Sequence, residues 1–196
     1  MDSLAMAFTS GWASGINSYL VVLVLGVAQR LGVDDIPHVL GRWEVLVVAA
    51  TLYATEFVAD KIPYIDSTWD AISTAIRPTV GAVIGVLLAG DADSLDAAIS
   101  GVLGGSTALA SHTVKSGSRL AINTSPEPFT NVVASLGEDV TVLGVALVAL
   151  QHPWIAASIA AVLLLVGLVV LYLVLKYVRR GWRRWKGKDR LPAATA

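Results

Sequence analysis

Three clusters of charged and amide residues fall inside or at the ends of apolar stretches long enough to cross a bilayer. The first is Glu56, Asp60, Lys61, Pro63 and Asp66; the second is His112, Lys115, Arg119, Asn123 and Glu127; the third is Asn131, Ser135, Glu138 and Asp139. An ionised side chain at a bilayer centre costs roughly 3 kcal/mol on insertion scales, so such groups pair with one another or mark a pathway. Spacing sorts them into roles. Glu56 and Asp60, four residues apart, place two carboxylates on one helical face. With Glu138 and Asp139 they are the expected groups for proton or cation exchange. His112, Lys115 and Arg119 fall at i, i+3 and i+7, a cationic stripe suited to facing an anion. Arg77 adds a cation, and Asn17, Asn123, Asn131 and Ser135 add hydrogen-bonding groups at comparable depth. Glu56, Glu138 and Asp139 can balance Arg77, Lys115 and His112 within one interior.

Other chemistries find less support. His112 with Glu56, Glu138 or Asp139 has the ligand types for a hard or borderline divalent cation, but no HxxxH, HExxH or Glu-x-x-His spacing accompanies them. No cofactor is evident, and a divalent cation is the one candidate. No phosphate-binding loop or GxSxG motif occurs, and no residue is read as catalytic. Trp12-Ala13-Ser14-Gly15 echoes the serine motif of intramembrane rhomboid proteases without its preceding glycine, so Ser14 reads as a packing residue. The plain structural alternative is a non-catalytic membrane scaffold whose buried ion pairs fix helix register.

These residues need helices in lipid to position them. Of 196 residues, 55% are hydrophobic and only 15% charged, too apolar a balance for an ordinary soluble domain. Apolar segments near 3–28, 43–59, 71–90, 95–112, 129–150 and 154–178 approach the roughly 20 residues a spanning helix needs. The expected fold is an all-α integral membrane protein of six spans over residues 1–178, followed by a basic tail at 179–196. Met1-Asp2-Ser3 lacks the basic leader of a cleavable signal, so the first segment is expected to remain. No cysteine is present, which excludes disulfides and thiolate sites.

Lys176, Arg179, Arg180, Arg183, Arg184, Lys186, Lys188 and Arg190 crowd the carboxyl end, which the positive-inside rule makes cytoplasmic. Six spans then put the amino end on the same side, in a bacterial inner membrane. The loop charges agree, with Lys61, Lys115 and Arg119 inside and Asp34, Asp35, Asp91 and Asp93 outside, Arg30 and Arg42 being the exceptions. Trp43, Trp154, Trp182 and Trp185 fit interfacial belts. The tail suits anionic lipid headgroups, a homodimer is expected, and nucleic acid is not needed to explain the charge.

Two architectural expectations follow. Ser10-Gly11-Trp-Ala-Ser-Gly15 and Ser100-Gly101-Val-Leu-Gly-Gly105 are matching small-residue steps, which suggests inverted repeats over 1–90 and 95–178. Arg77-Pro78 suggests a third helix broken at mid-membrane, or an interfacial segment over 67–77 followed by a half-span.

The Glu56-xxx-Asp60-Lys61-Ile-Pro63-xx-Asp66 corner, the His112-xx-Lys115-xxx-Arg119 stripe and the Ser-Pro126-Glu127-Pro128 turn with Ser135-xx-Glu138-Asp139 carry a resemblance. On them the chain resembles a bacterial multi-pass membrane family, domain-of-unknown-function family 4126, over nearly all of residues 1–175. The resemblance implies a membrane fold and no activity. The residues themselves point to a small transporter or flippase for an anionic solute or phosphate-bearing lipid, proton- or cation-coupled.

Overall fold

The computed structural model describes residues 2–62, 64–90, 93–123 and 128–188. Six helices follow one another: α1 Asp2–Arg30, α2 Trp43–Ala59, α3 Ile65–Leu88, α4 Ser94–Ile122, α5 Pro128–Gln151 and α6 Pro153–Lys188. No strand occurs among the described residues. By length and composition four of them, α1, α3, α5 and α6, are apolar enough to cross a membrane.

The first of these does not run straight. At Asn17 the backbone leaves the helical region (φ −150°, ψ 93°), splitting α1 into halves over 2–16 and 18–30. A continuous helix of 29 residues would hold its ends about 43 Å apart. Instead Asp2, Ser3 and Met6 line the same cavity as Val33, Asp35 and Ile36, together with the ends of α3 and α5. Trp154, at the start of α6, also bonds Asp2 (3.0 Å). Thus α1 enters the bundle, turns at Asn17 and returns to the end it came from. Each half is too short for the ~30 Å apolar core of a bilayer.

The break is encoded locally. Asn17 takes extended backbone geometry, and its Oδ1 accepts the Leu20 N–H (3.0 Å), the geometry of an N-cap restarting a helix. The half over 2–16 lies against α4 through small residues. A Cβ on Gly11 would meet Gly104 O and Thr107 Oγ1, and one on Gly15 would meet Ala108 O and Ser111 Oγ. The close approach lets three α4 side chains, four residues apart, donate to α1 carbonyls: Thr107 to Phe8 (3.4 Å), Ser111 to Trp12 (2.7 Å) and Lys115 to Ile16 (3.1 Å).

That register corrects one expectation. Each rung joins residues 99 apart, so the two Ser-Gly segments run in the same direction. Inverted repeats would run them oppositely; the small residues match because both line one helix crossing. A second correction concerns the broken helix: α3 is helical from Ile65 to Leu88 with Pro78 inside it. The interruption falls in α1, where an amide can cap the restarted turn. Asp66 lies in the first turn of that helix.

The remaining helices set the polarity of the bundle. α2 starts beside the returning half of α1, where Arg30 donates to Gly41 O (3.1 Å) and lies over the Trp43 ring. At the other end, Asn123 after α4 bonds Asp66 near the start of α3 (2.8 Å) and accepts from Asn131 of α5 (2.8 Å). α6 descends along α4, with Gly167 against Val114 and Gly117 against Leu171. The start of α1 and the end of α6 therefore lie at opposite ends of the bundle. The expectation that both face one side counts α1 as a full crossing.

Candidate functional site

The Asn17 turn ends inside the charged interior foreseen from sequence. Arg77 of α3 pairs with Glu56 of α2 (2.6 Å) and with Asp70, two turns earlier on the same face of α3 (3.0 Å). Its Nη1 also contacts His112 Nδ1 (2.7 Å), and His112 Nε2 meets Thr74 Oγ1 (2.9 Å). Lys115 reaches Asp60 (2.8 Å), Glu56 (3.4 Å) and Glu138 (3.5 Å). Arg119 holds both oxygens of Glu138, through Nε (3.2 Å) and Nη2 (2.7 Å). The guanidinium also donates to Asp60 O (3.0 Å) and lies 3.7 and 3.8 Å from the carboxylates of Asp60 and Asp66. Arg77, Lys115 and Arg119 are all buried. Charged hydrogen bonds of this kind persist away from water because each cation meets an acid or a carbonyl.

The broken helix matches this field at both of its new ends. A helix carries partial negative charge at its carboxyl end and positive charge at its amino end. The first half ends at Gly15 and Ile16, whose carbonyls accept from Arg77 (3.4 Å) and Lys115 (3.1 Å). The second half begins at Asn17, whose Nδ2 donates to Asp139 Oδ1 (2.9 Å). Cations thus meet the carboxyl end of one half, and a carboxylate meets the amino end of the other.

Most residues singled out by spacing converge here. Asn17, Glu56, Asp60, Arg77, His112, Lys115, Arg119, Glu138 and Asp139 form the network, and Asn123 and Asn131 close it on the side of Asp66. Ser135 is buried and accepts from Lys61 at 3.4 Å. Pairing differs in detail: Arg77 belongs with Glu56 and Asp70, while Glu138 belongs with Arg119. The His112–Lys115–Arg119 stripe does not face open space for an anion, since α2, α3 and α5 present carboxylates to its two cations. Sequence reasoning missed Asp70 and Thr74. Asp66, Asp70, Ser73, Arg77 and Gly81 recur every three or four residues, and that buried stripe of α3 was the available signal.

The metal candidates Glu56, His112, Glu138 and Asp139 do not gather around one point. His112 has both nitrogens engaged, and no group of three or more acids and histidines among the described residues is set to hold an ion. Pro63, Asp91, Pro126 and Glu127 lie outside the described residues, as do the side chains of Trp182, Arg183, Arg184, Trp185, Lys186 and Lys188 and the whole of Arg190.

Charge does not balance. Among the described residues, six carboxylates (Glu56, Asp60, Asp66, Asp70, Glu138 and Asp139) share the interior with four cations (Lys61, Arg77, Lys115 and Arg119), a formal surplus of two negative charges. Buried oxygens of Glu56, Asp60, Asp66, Asp70 and Asp139 accept no hydrogen bond from the described residues. Such a surplus away from water calls for protons or a cation.

A family model described as "Domain of unknown function (DUF4126)" matches residues 4–173. The match covers five helices and most of the sixth, so the chain belongs to that family. No curated protein and no solved structure matches it.

Proposed function

We propose, for this member of a family without an assigned activity, a small membrane transporter that exchanges protons against a charged solute at the α1 turn. The observation that carries the reading is the surplus of buried carboxylates around a broken helix. A site that is short of positive charge accepts either protons or a cation, and the two compete for the same oxygens. Glu56, Asp60, Glu138 and Asp139 are the exchanging groups, and the α1 turn, tied to the other helices by side-chain bonds to Arg77, Lys115 and Asp139, is the part that moves. Re-entrant backbone of this kind is tolerated at membrane depth where it is buried in protein or lines a polar cavity.

A second reading keeps the anionic solute. Protonating Glu56, Asp60 and Glu138 would release Arg77, Lys115 and Arg119, and an anion would then replace the carboxylates. Both readings couple transport to protons; they differ in the sign of the solute. A phosphate-bearing lipid is the bulkier version of the anionic case. Orientation follows from charge: Lys176, Arg179 and Arg180 put the far end of α6 in the cytoplasm, and the Asp2, Asp34 and Asp35 end then faces outward. The apolar residues of α6 are its contact with bilayer lipid.

Reconstitution in liposomes with an imposed pH gradient tests the proposal. Adding cations to one side is expected to collapse the gradient in wild type and not in Glu138→Gln. Organic anions collapsing it instead would select the second reading. If no solute moves protons, or Glu138→Gln matches wild type, exchange is excluded. A purely structural network would be left, and the charge-neutral pair Arg77→Met with Glu56→Gln would then preserve the protein's cellular role.

A further inference from the structure

Beside the network lies a cavity of ≈130 Å³, walled by Trp12 and Ile16 of α1, Val114 of α4, and Leu163 and Leu164 of α6. Glu138 and Lys115 stand at its polar end. Cavities of about 150 Å³ with apolar walls hold a molecule the size of benzene, so the space suits a small apolar body carrying one polar head.

The polar end decides the sign of that head. Glu138 has 22% of its side chain exposed, whereas Glu56, Asp60, Asp66 and Asp70 have 5% or less. Of the carboxylates paired with the arginines and Lys115, Glu138 is thus the one that an occupant can reach. Lys115 is only 2% exposed, and its ammonium is already directed at Ile16 O, Asp60 and Glu56, with Glu138 Oε2 at 3.5 Å.

Glu138 is bound by Arg119, but that arginine has somewhere to go. It lies 3.7 Å from Asp60 Oδ2 and 3.8 Å from Asp66 Oδ1, and Asp66 Oδ1 and Asp60 Oδ1 accept no hydrogen bond from the described residues. Shifting toward them, Arg119 keeps a carboxylate partner, and Glu138, still 3.5 Å from Lys115 through Oε2, has its Oε1 released for another cation.

We propose that this cavity binds small organic ammonium ions, with the nitrogen against Glu138 and an apolar body of about benzene size between α1, α4 and α6. The assignment rests on the proton-exchange reading and names its solute class.

The test uses the full chain purified in detergent, with benzylammonium, benzoate and sodium as probes and Trp12 fluorescence and calorimetry as readouts. Benzylammonium is expected to bind saturably, less tightly as pH falls, and at least ~10-fold more weakly in Glu138→Gln, a loss of about 1.4 kcal/mol or more. The fluorescence change should vanish in Trp12→Phe. Leu164→Trp, which fills the cavity without touching the charges, should weaken binding as well, so the test survives if Glu138→Gln folds poorly. Saturable benzoate binding without benzylammonium binding would overturn the proposal, as would benzylammonium binding unaffected by Leu164→Trp. If neither organic ion binds but sodium still drives proton exchange in liposomes, the cavity assignment fails and the exchange reading stands. If nothing moves protons, both fail.

Discussion

α1 and α6 both have the length and apolar composition of a membrane span, yet they occupy opposite environments. In α1, 72% of the apolar window is buried inside the protein; in α6, 11% is. α6 is nearly all Leu and Val through its middle, and Val162, Leu165, Val166, Val169 and Val170 are each about half exposed or more. α1 mixes its apolar residues with Gly, Ser, Ala and one Asn, which permit close backbone contact and a break. The more apolar helix is thus the exposed one, and the diluted one is the core. In lipid, hydrophobicity alone does not bring helices together, so packing and polar contacts choose which helix is central.

This contrast predicts where the protein is fragile. The largest effect belongs to Arg77→Met, which strands Glu56 and Asp70 and removes a donor from Gly15 O. Breaking a buried pair this way costs about 3–5 kcal/mol, seen as a lower unfolding midpoint in detergent, and adding Glu56→Gln should restore part of it. Next is the contrast between Gly15→Ala and Gly167→Ala. A methyl on Gly15 meets Ala108 backbone and Ser111, while one on Gly167 meets only the Val114 side chain. Overpacking of about 1–3 kcal/mol is expected for the first and a smaller loss for the second. Equal losses would remove the distinction between the two helices.

Asn17→Ala ranks third, with a loss of about 1 kcal/mol from the missing cap and an Asp139 carboxylate left without its amide. The smallest effect is expected for Leu165→Ala on α6, where a residue 64% exposed should change stability by less than ~0.5 kcal/mol. A loss at Leu165 as large as that at Asn17 would show α6 to be covered by something other than lipid.

Much of this was legible in the sequence, and the misses share a cause. Helix spacing found the six helical segments and most network residues, because charges in an apolar chain must pair and periodicity says which face they share. It failed on direction. A 26-residue apolar stretch reads as a span by length, and its polar steps read as packing motifs. Asn17-Ser18 after Gly15 was nonetheless a cap sequence in the wrong place for a continuous helix. Pro78 drew attention away from it, although a proline removes only one hydrogen bond and α3 continues through it. Asp70 went unnoticed because it stood outside the apolar part of its segment, and only the packed stripe of α3 carries it to Arg77.

The turn at Asn17 underlies the network, the polarity of the bundle and the exchange proposal, so the distance across α1 tests the account most directly. The chain has no cysteine, and Leu4 and Leu31 are exposed at 37% and 81%, so Leu4→Cys with Leu31→Cys accepts a pair of spin labels without background. Pulsed dipolar spectroscopy in nanodiscs is expected to give a separation of no more than half the straight-helix value, which is about 40 Å for these positions. A distribution centred near the straight-helix value would contradict the fold-back and, with it, the placement of the charged site at its tip.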